Sequence, residues 1–189
     1  MDPVRRIVGG RRADTVQRLL DAALEEIRAV EYTDLSVRSV ARRADVSPAT
    51  AYTYFSSKDH LVSSVVWRDI QEATSSFTDD TGLHEMVRRI TDVFKDEPEL
   101  SRACTSALLG DDPEVARLRD QIGTELATSL TRSLGSLPPT AANSVTMAFV
   151  GGLVLSGMGY FPFDEVADRL TEMVRQFEPA PRRRRSTKG

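Results

Sequence analysis

The chain is expected to be all-α, with about nine helices. Three observations lead there. Apolar residues recur three and four positions apart along nearly the whole sequence, no run of strict alternation is long enough for a strand, and prolines, glycines and serines separate the periodic stretches. With 189 residues, 40% of them hydrophobic and 28% charged, the chain can bury a core of its own.

In chain order, Leu20, Ala23, Leu24, Ile27 and Val30 form one stripe of a first helix. Ser36 is placed to cap a second, which carries Val37, Val40, Ala41 and Ala44 inward. Asp45 tolerates the left-handed conformation that a tight turn asks for, and Val46 plugs that turn. Ser47 followed by Pro48 reads as the N-cap and first residue of a third helix. Ser56 or Ser57 opens a fourth, running through Leu61, Val62, Val65, Val66 and Ile70 towards Ser76. Five more are expected at 82–95, 98–109, 113–135, 139–160 and 164–177. Thr81-Gly82, Pro98, Gly110 to Pro113, Pro138-Pro139 and Pro162 divide them. Residues 179–189 have no apolar period and are expected to form a disordered basic tail.

No charged residue lies between Arg132 and Asp164, and residues 141–160 are long enough to span a bilayer. Asn143, Ser144, Thr146, Ser156, four glycines and the absence of a basic flank favour a buried helix of a bundle, so no membrane is expected. A single cysteine, Cys104, precludes a disulfide within the chain and suits a reducing cytoplasm. The residues form no metal spacing, no phosphate-cradling glycine loop and no triad around His60 or His84, so neither cofactor, metal nor catalysis is expected.

The net charge of −3 hides a segregation: residues 1–60 sum to +1, residues 61–174 to −9 and residues 175–189 to +5. Arg5, Arg6, Arg11 and Arg12 face only Asp2 within a basic N-terminal arm, residues 1–12. A polyanion would therefore be met at the ends and repelled by the middle.

The stretch "ADVSPATAYTYFSSKDHL", residues 44–61, crowds hydroxyl groups around a proline. About three residues separate the end of the second helix from the start of the third, which is helix-turn-helix spacing. Spacing alone leaves open a pair of short helices in a bundle that never meets DNA. Small Ala49, Thr50 and Ala51 would allow close approach to base edges. Ser36, Ser47, Thr50, Tyr52, Thr53 and Tyr54 would supply uncharged hydrogen bonds, and Lys58 would meet a phosphate.

"LSVRSVARRADVSPATAYTYFSSKDHL" resembles the DNA-binding signature of the TetR family of transcriptional regulators. That pattern runs as a hydroxyl residue, Ile-Ala, Ala-Gly-Val-Ser, Gly-Thr-Leu-Tyr, Tyr-Phe, Ser-Lys-Glu and Leu. The chain matches at Ser36, Ala41, Ala44, Val46, Ser47, Thr50, Tyr52, Tyr54, Phe55, Ser57, Lys58 and Leu61, with Val40 for the isoleucine and Asp59 for the glutamate. Asp45 and Ala49 stand where glycine is usual, and Ala51 where leucine is usual. The likeness implies a DNA-binding module at 13–71, with its motif at about 36–55, and a ligand-binding and dimerising domain at 72–178. "EPELSRACTSALL" is faintly similar to actinobacterial members that regulate lipid or sterol breakdown.

As a member of that family the chain would be a homodimer on double-stranded operator DNA, a repressor released by a small apolar effector. The effector would be fatty-acyl or steroid-like, bound at a wall of Trp67, Met86, Ile90, Phe94, Cys104, Ala107, Leu108, Met147 and Phe149. Ser144, Ala148, Gly152 and Ser156 fall four apart and, with Leu170, Met173, Val174 and Phe177, would form the dimer interface. An activator, or an enzyme or carrier using the C-terminal cavity, are the alternatives.

Overall fold

A computed structural model describes residues 10–78, 80–135 and 137–177, and the side chain of Arg11 is not among them. Arg5, Arg6, most of the N-terminal arm and the tail at 179–189 therefore lie outside the described residues. Among those described there are nine helices and no strand. They are α1 (Arg11–Ala29), α2 (Val37–Arg43), α3 (Pro48–Tyr54), α4 (Lys58–Thr74), α5 (Leu83–Lys95), α6 (Pro98–Leu108), α7 (Pro113–Ser133), α8 (Pro139–Gly157) and α9 (Asp164–Arg175).

Local chemistry sets most of the boundaries. Ser36 caps α2 through a capping box with Ser39, each hydroxyl accepting the other's backbone N–H, at 3.0 and 3.2 Å. Ser47 and Ser57 cap α3 and α4, accepting from Thr50 N–H at 3.1 Å and His60 N–H at 3.0 Å. Asp112 caps α7, and proline opens α3, α6, α7 and α8, where its missing N–H costs nothing. The fifth helix ends at Lys95 as expected, whereas the C-terminal ends of α6 to α9 fall one to three residues short of expectation. At α8 the cause is visible. Gly159, at φ +82, lets Tyr160 N–H turn back to the Leu155 carbonyl at 3.0 Å.

The long α4 is the spine. It packs against α1, α5, α6 and α7, and Leu61, Val62, Val65, Val66 and Trp67 are wholly enclosed. One core cluster gathers α1–α4 with Phe94, Leu100, Ala103, Cys104, Ala107, Leu118 and Ile122. A second joins Met86, Val87 and Ile90 of α5 to Leu130, Val145, Phe149, Val166 and Leu170 of α7, α8 and α9. The first cluster crosses residue 71, so the expected module boundary is no break in packing.

Candidate nucleic-acid interface

The turn between α2 and α3 is a Schellman motif. Val46 N–H bonds the Ala41 carbonyl at 2.9 Å and Asp45 N–H the Arg42 carbonyl at 3.3 Å, with Asp45 at φ 52. Asp45 thus adopts the left-handed conformation expected of it. Arg18 of α1 donates to the Ala44 carbonyl at 3.3 Å and Arg43 to Glu26 at 2.6 Å, tying the α2 end of the turn to α1. Ala51 and Phe55 are buried beneath α3. Its other face, Ala49, Thr50, Tyr52 and Thr53, is open to solvent, with Tyr52 51% exposed.

The hydroxyls of this region serve the fold first. Ser36 and Ser47 are caps, Thr50 Oγ1 lies 2.8 Å from Ser47 Oγ, and Thr53 donates to the Ala49 carbonyl at 3.0 Å. Lys58 is turned inward: Nζ donates to the Tyr32 carbonyl at 2.9 Å and stands 4.4 Å from the centre of the Tyr32 ring. Tyr32 in turn donates to Asp59, and burial, then this hydrogen bond, raises its phenol pKa. Two cations escaped the sequence reading. Arg38 and Arg42, four apart on α2, are exposed and pair with no carboxylate among the described residues. Their spacing was legible, but their freedom from partners was not.

Behind the motif, Ser57 donates to the Asp112 carboxylate, so the caps of α4 and α7 are joined. Burial alone would raise the Asp112 pKa, but the Ser57 hydroxyl and the N–H groups of Glu114 and Val115 hold it below its usual value. His60 is buried edge-on to Phe55 at 5.6 Å, its Nδ1 near Ser56 N–H at 3.3 Å, and burial lowers its pKa.

The residues expected to line an effector site do not form one wall. Trp67, Phe94, Cys104 and Ala107 are buried in the first core with Leu108 against it, whereas Met86, Ile90 and Phe149 belong to the second. Met147 is 77% exposed. Burial pushes the Cys104 thiol up to about 12, which leaves it an inert hydrophobe.

The small-residue row on α8 is also divided. Ser144 is exposed, but Gly152 and Ser156 are buried within the chain, and a Cβ on Gly152 would sit 3.2 Å from Val166 of α9. Leu170 is buried as well, Met173 and Val174 are half-buried, and Phe177 is 43% exposed. The reason is helical geometry. Four residues turn a helix by about 400°, so a strict four-residue row drifts about 40° per step and winds from the outer to the inner face. The outer face instead carries Met147, Val150, Val154 and Met158, of which Met147, Val150 and Met158 are 77%, 51% and 59% exposed.

The family description of bacterial regulatory proteins, tetR family, matches residues 19–65. An HTH-type transcriptional regulator of Mycobacterium tuberculosis is 42% identical over 172 residues, spanning 87% of this chain and 80% of that protein. The HTH-type transcriptional repressor KstR of Rhodococcus jostii is 29% identical over 75% of this chain and 70% of its own length. Among solved structures, a TetR transcriptional regulator from Rhodococcus sp. RHA1 superposes with a TM-score of 0.71 at 20% identity, over 87% of this chain and 96% of that one. The multidrug binding protein EbrR, complexed with imidazole, does so with a TM-score of 0.62 at 18% identity, over 88% and 95%. At such identities the likeness is one of fold.

Proposed function

The chain belongs to the TetR family of bacterial regulatory proteins, and we propose that it is a homodimeric, ligand-released repressor. The proteins it matches in sequence are HTH-type transcriptional regulators, so DNA binding is the function and catalysis has no part in that reading. It acts in the cytoplasm, where its operator is. The observation that carries the reading is the exposed face of α3, set on a Schellman turn that Arg18 and Arg43 brace against α1. In a dimer two such helices enter successive major grooves, about 34 Å apart.

Thr50 and Tyr52 read or shape bases. Tyr54, Lys58, Arg38 and Arg42 meet phosphates, Lys58 by leaving the Tyr32 carbonyl, and Arg12 of the arm extends the contact. Repression is favoured over activation because the KstR relatives are repressors. A mainly apolar effector, fatty-acyl or steroid-like, binds a conformation whose recognition helices are wrongly spaced and so lowers operator affinity by linkage.

A gel shift on the DNA upstream of the gene tests the whole reading. Arg42→Ala and Lys58→Ala should weaken binding to every sequence, each lowering the salt slope by roughly 0.9. Thr50→Ala should change sequence preference instead. Unchanged affinity and slope in both cation variants would remove α2 and α4 from the interface.

A further inference from the structure

We propose that a groove beside the α8–α9 connection binds a flat, uncharged, predominantly apolar molecule carrying one hydroxyl or carbonyl oxygen. The groove has a volume of about 620 Å³, within the usual range for small-molecule sites. It lies between the α5–α6 connection on one side and the end of α8 with the start of α9 on the other.

Three observations select the ligand. The first is the floor. Ser156 is 6% exposed, and its buried hydroxyl has no hydrogen-bond partner. A buried hydroxyl without a partner is costly, and a ligand oxygen that meets it once the Ser156 side chain turns towards the groove would recover that cost. Ser101 of α6, 5% exposed, shares the floor, because α6 and α8 cross closely at Gly157, where a Cβ would lie 3.4 Å from Ser101 Oγ.

The second is the wall. Phe94 and Phe163 are stacked with ring centres 5.4 Å apart, and Tyr160 also lines the groove, while the Phe161 ring lies under the Arg169 guanidinium at 5.3 Å. Stacked rings present a flat face that a planar apolar body matches.

The third is the rim. Lys95 and Arg102 are there, but Lys95 lies 3.8 Å from Asp164 and Arg102 is 3.0 Å from Glu99. Asp96 and Asp164 balance the two cations within the lining itself. An anionic ligand would have to displace these exposed pairs and would also face Asp96 and Asp164, so it would gain little over water.

The proposal deepens the effector reading and rests on it only for regulation, since binding is measured on the full chain free of DNA. The probes are 2-naphthol, naphthalene and 2-naphthoate, titrated calorimetrically. One molecule of 2-naphthol per chain should bind, with naphthalene and 2-naphthoate each about tenfold weaker. Ser156→Ala removes only an unpartnered hydroxyl, so its helix content should survive. It should bring 2-naphthol down to the naphthalene level and leave naphthalene unchanged. Phe163→Ala should weaken 2-naphthol and naphthalene alike by tenfold or more. Absence of saturable binding, equal affinity for 2-naphthol and naphthalene, or a preference that survives Ser156→Ala would overturn the site. Binding that obeys these rules without releasing operator DNA in a gel shift would overturn the effector reading and leave the site standing.

Discussion

Asp45 holds φ 52 where only a residue that tolerates the left-handed region can end α2. Glycine there would relieve that strain but also loosen the unfolded chain, and the two effects oppose each other. Asp45→Gly should therefore leave the unfolding free energy in urea within about 1 kcal/mol of the parent, while β-branched Asp45→Val should cost about 2 kcal/mol. Equal stability of the two variants would mean that the turn is not strained. His60 makes a second residue-scale case. Its folded pKa lies below the ordinary histidine value of about 6.5, first through burial and against the opposing pull of Glu114 and Asp112. The unfolded chain thus takes up a proton before the folded one does. Stability should fall as pH drops through about 6.5 and level off below the folded pKa. His60→Gln should flatten that part of the pH profile. Asp112, held below its usual value, adds a separate loss at lower pH, which begins as the unfolded carboxylate protonates and levels off once the native one does.

Among the elements, the α6–α8 crossing depends most on a single position. A Cβ on Gly157 would fall far inside contact distance of Thr105 Oγ1, which donates to the Ser101 carbonyl. Gly157→Ala should cost about 1–3 kcal/mol by thermal or urea unfolding, despite alanine's better helix propensity, and adding Thr105→Ala should restore much of the loss. Gly123 of α7 has open space around it, so Gly123→Ala should stabilise by about 0.5–1 kcal/mol. A double variant no more stable than Gly157→Ala alone would place the strain elsewhere. Helix starts were legible because their signals are local: Ser36, Ser47-Pro48, Ser57, Pro98, Pro113 and Pro139 mark them in a few residues each. The inner face of α8 was not legible. It is apolar on both sides, so periodicity cannot choose between Phe149, which is buried, and Met147, which is not. The division of the expected effector residues between two cores was hidden for a related reason. Small residues at 103, 104 and 107 fit an open void and a close helix contact equally well, and α4 packs onto α6 there.

For the whole molecule, the proposed dimer puts the outer face of α8 where two copies would meet. Met147, Val150, Val154 and Met158 leave a long apolar stripe on a surface helix. Such an exposed apolar stripe asks for a partner, and in the proposed dimer a second copy would supply one by two-fold symmetry. Packing α8 on its mate there would hold the two recognition helices at the fixed separation that operator DNA requires. The double variant Met147→Glu with Val150→Glu should then give monomers by light scattering, with the parent's helix content and an operator affinity at least tenfold weaker. Gly152→Leu should behave differently. It drives a side chain into Val166 of the same protomer, so its first effect should be a loss of about 2 kcal/mol or more in stability rather than dissociation. If Gly152→Leu yields well-folded monomers while the glutamate pair stays dimeric, the interface follows the small-residue row after all, and α9 must move aside to admit the partner.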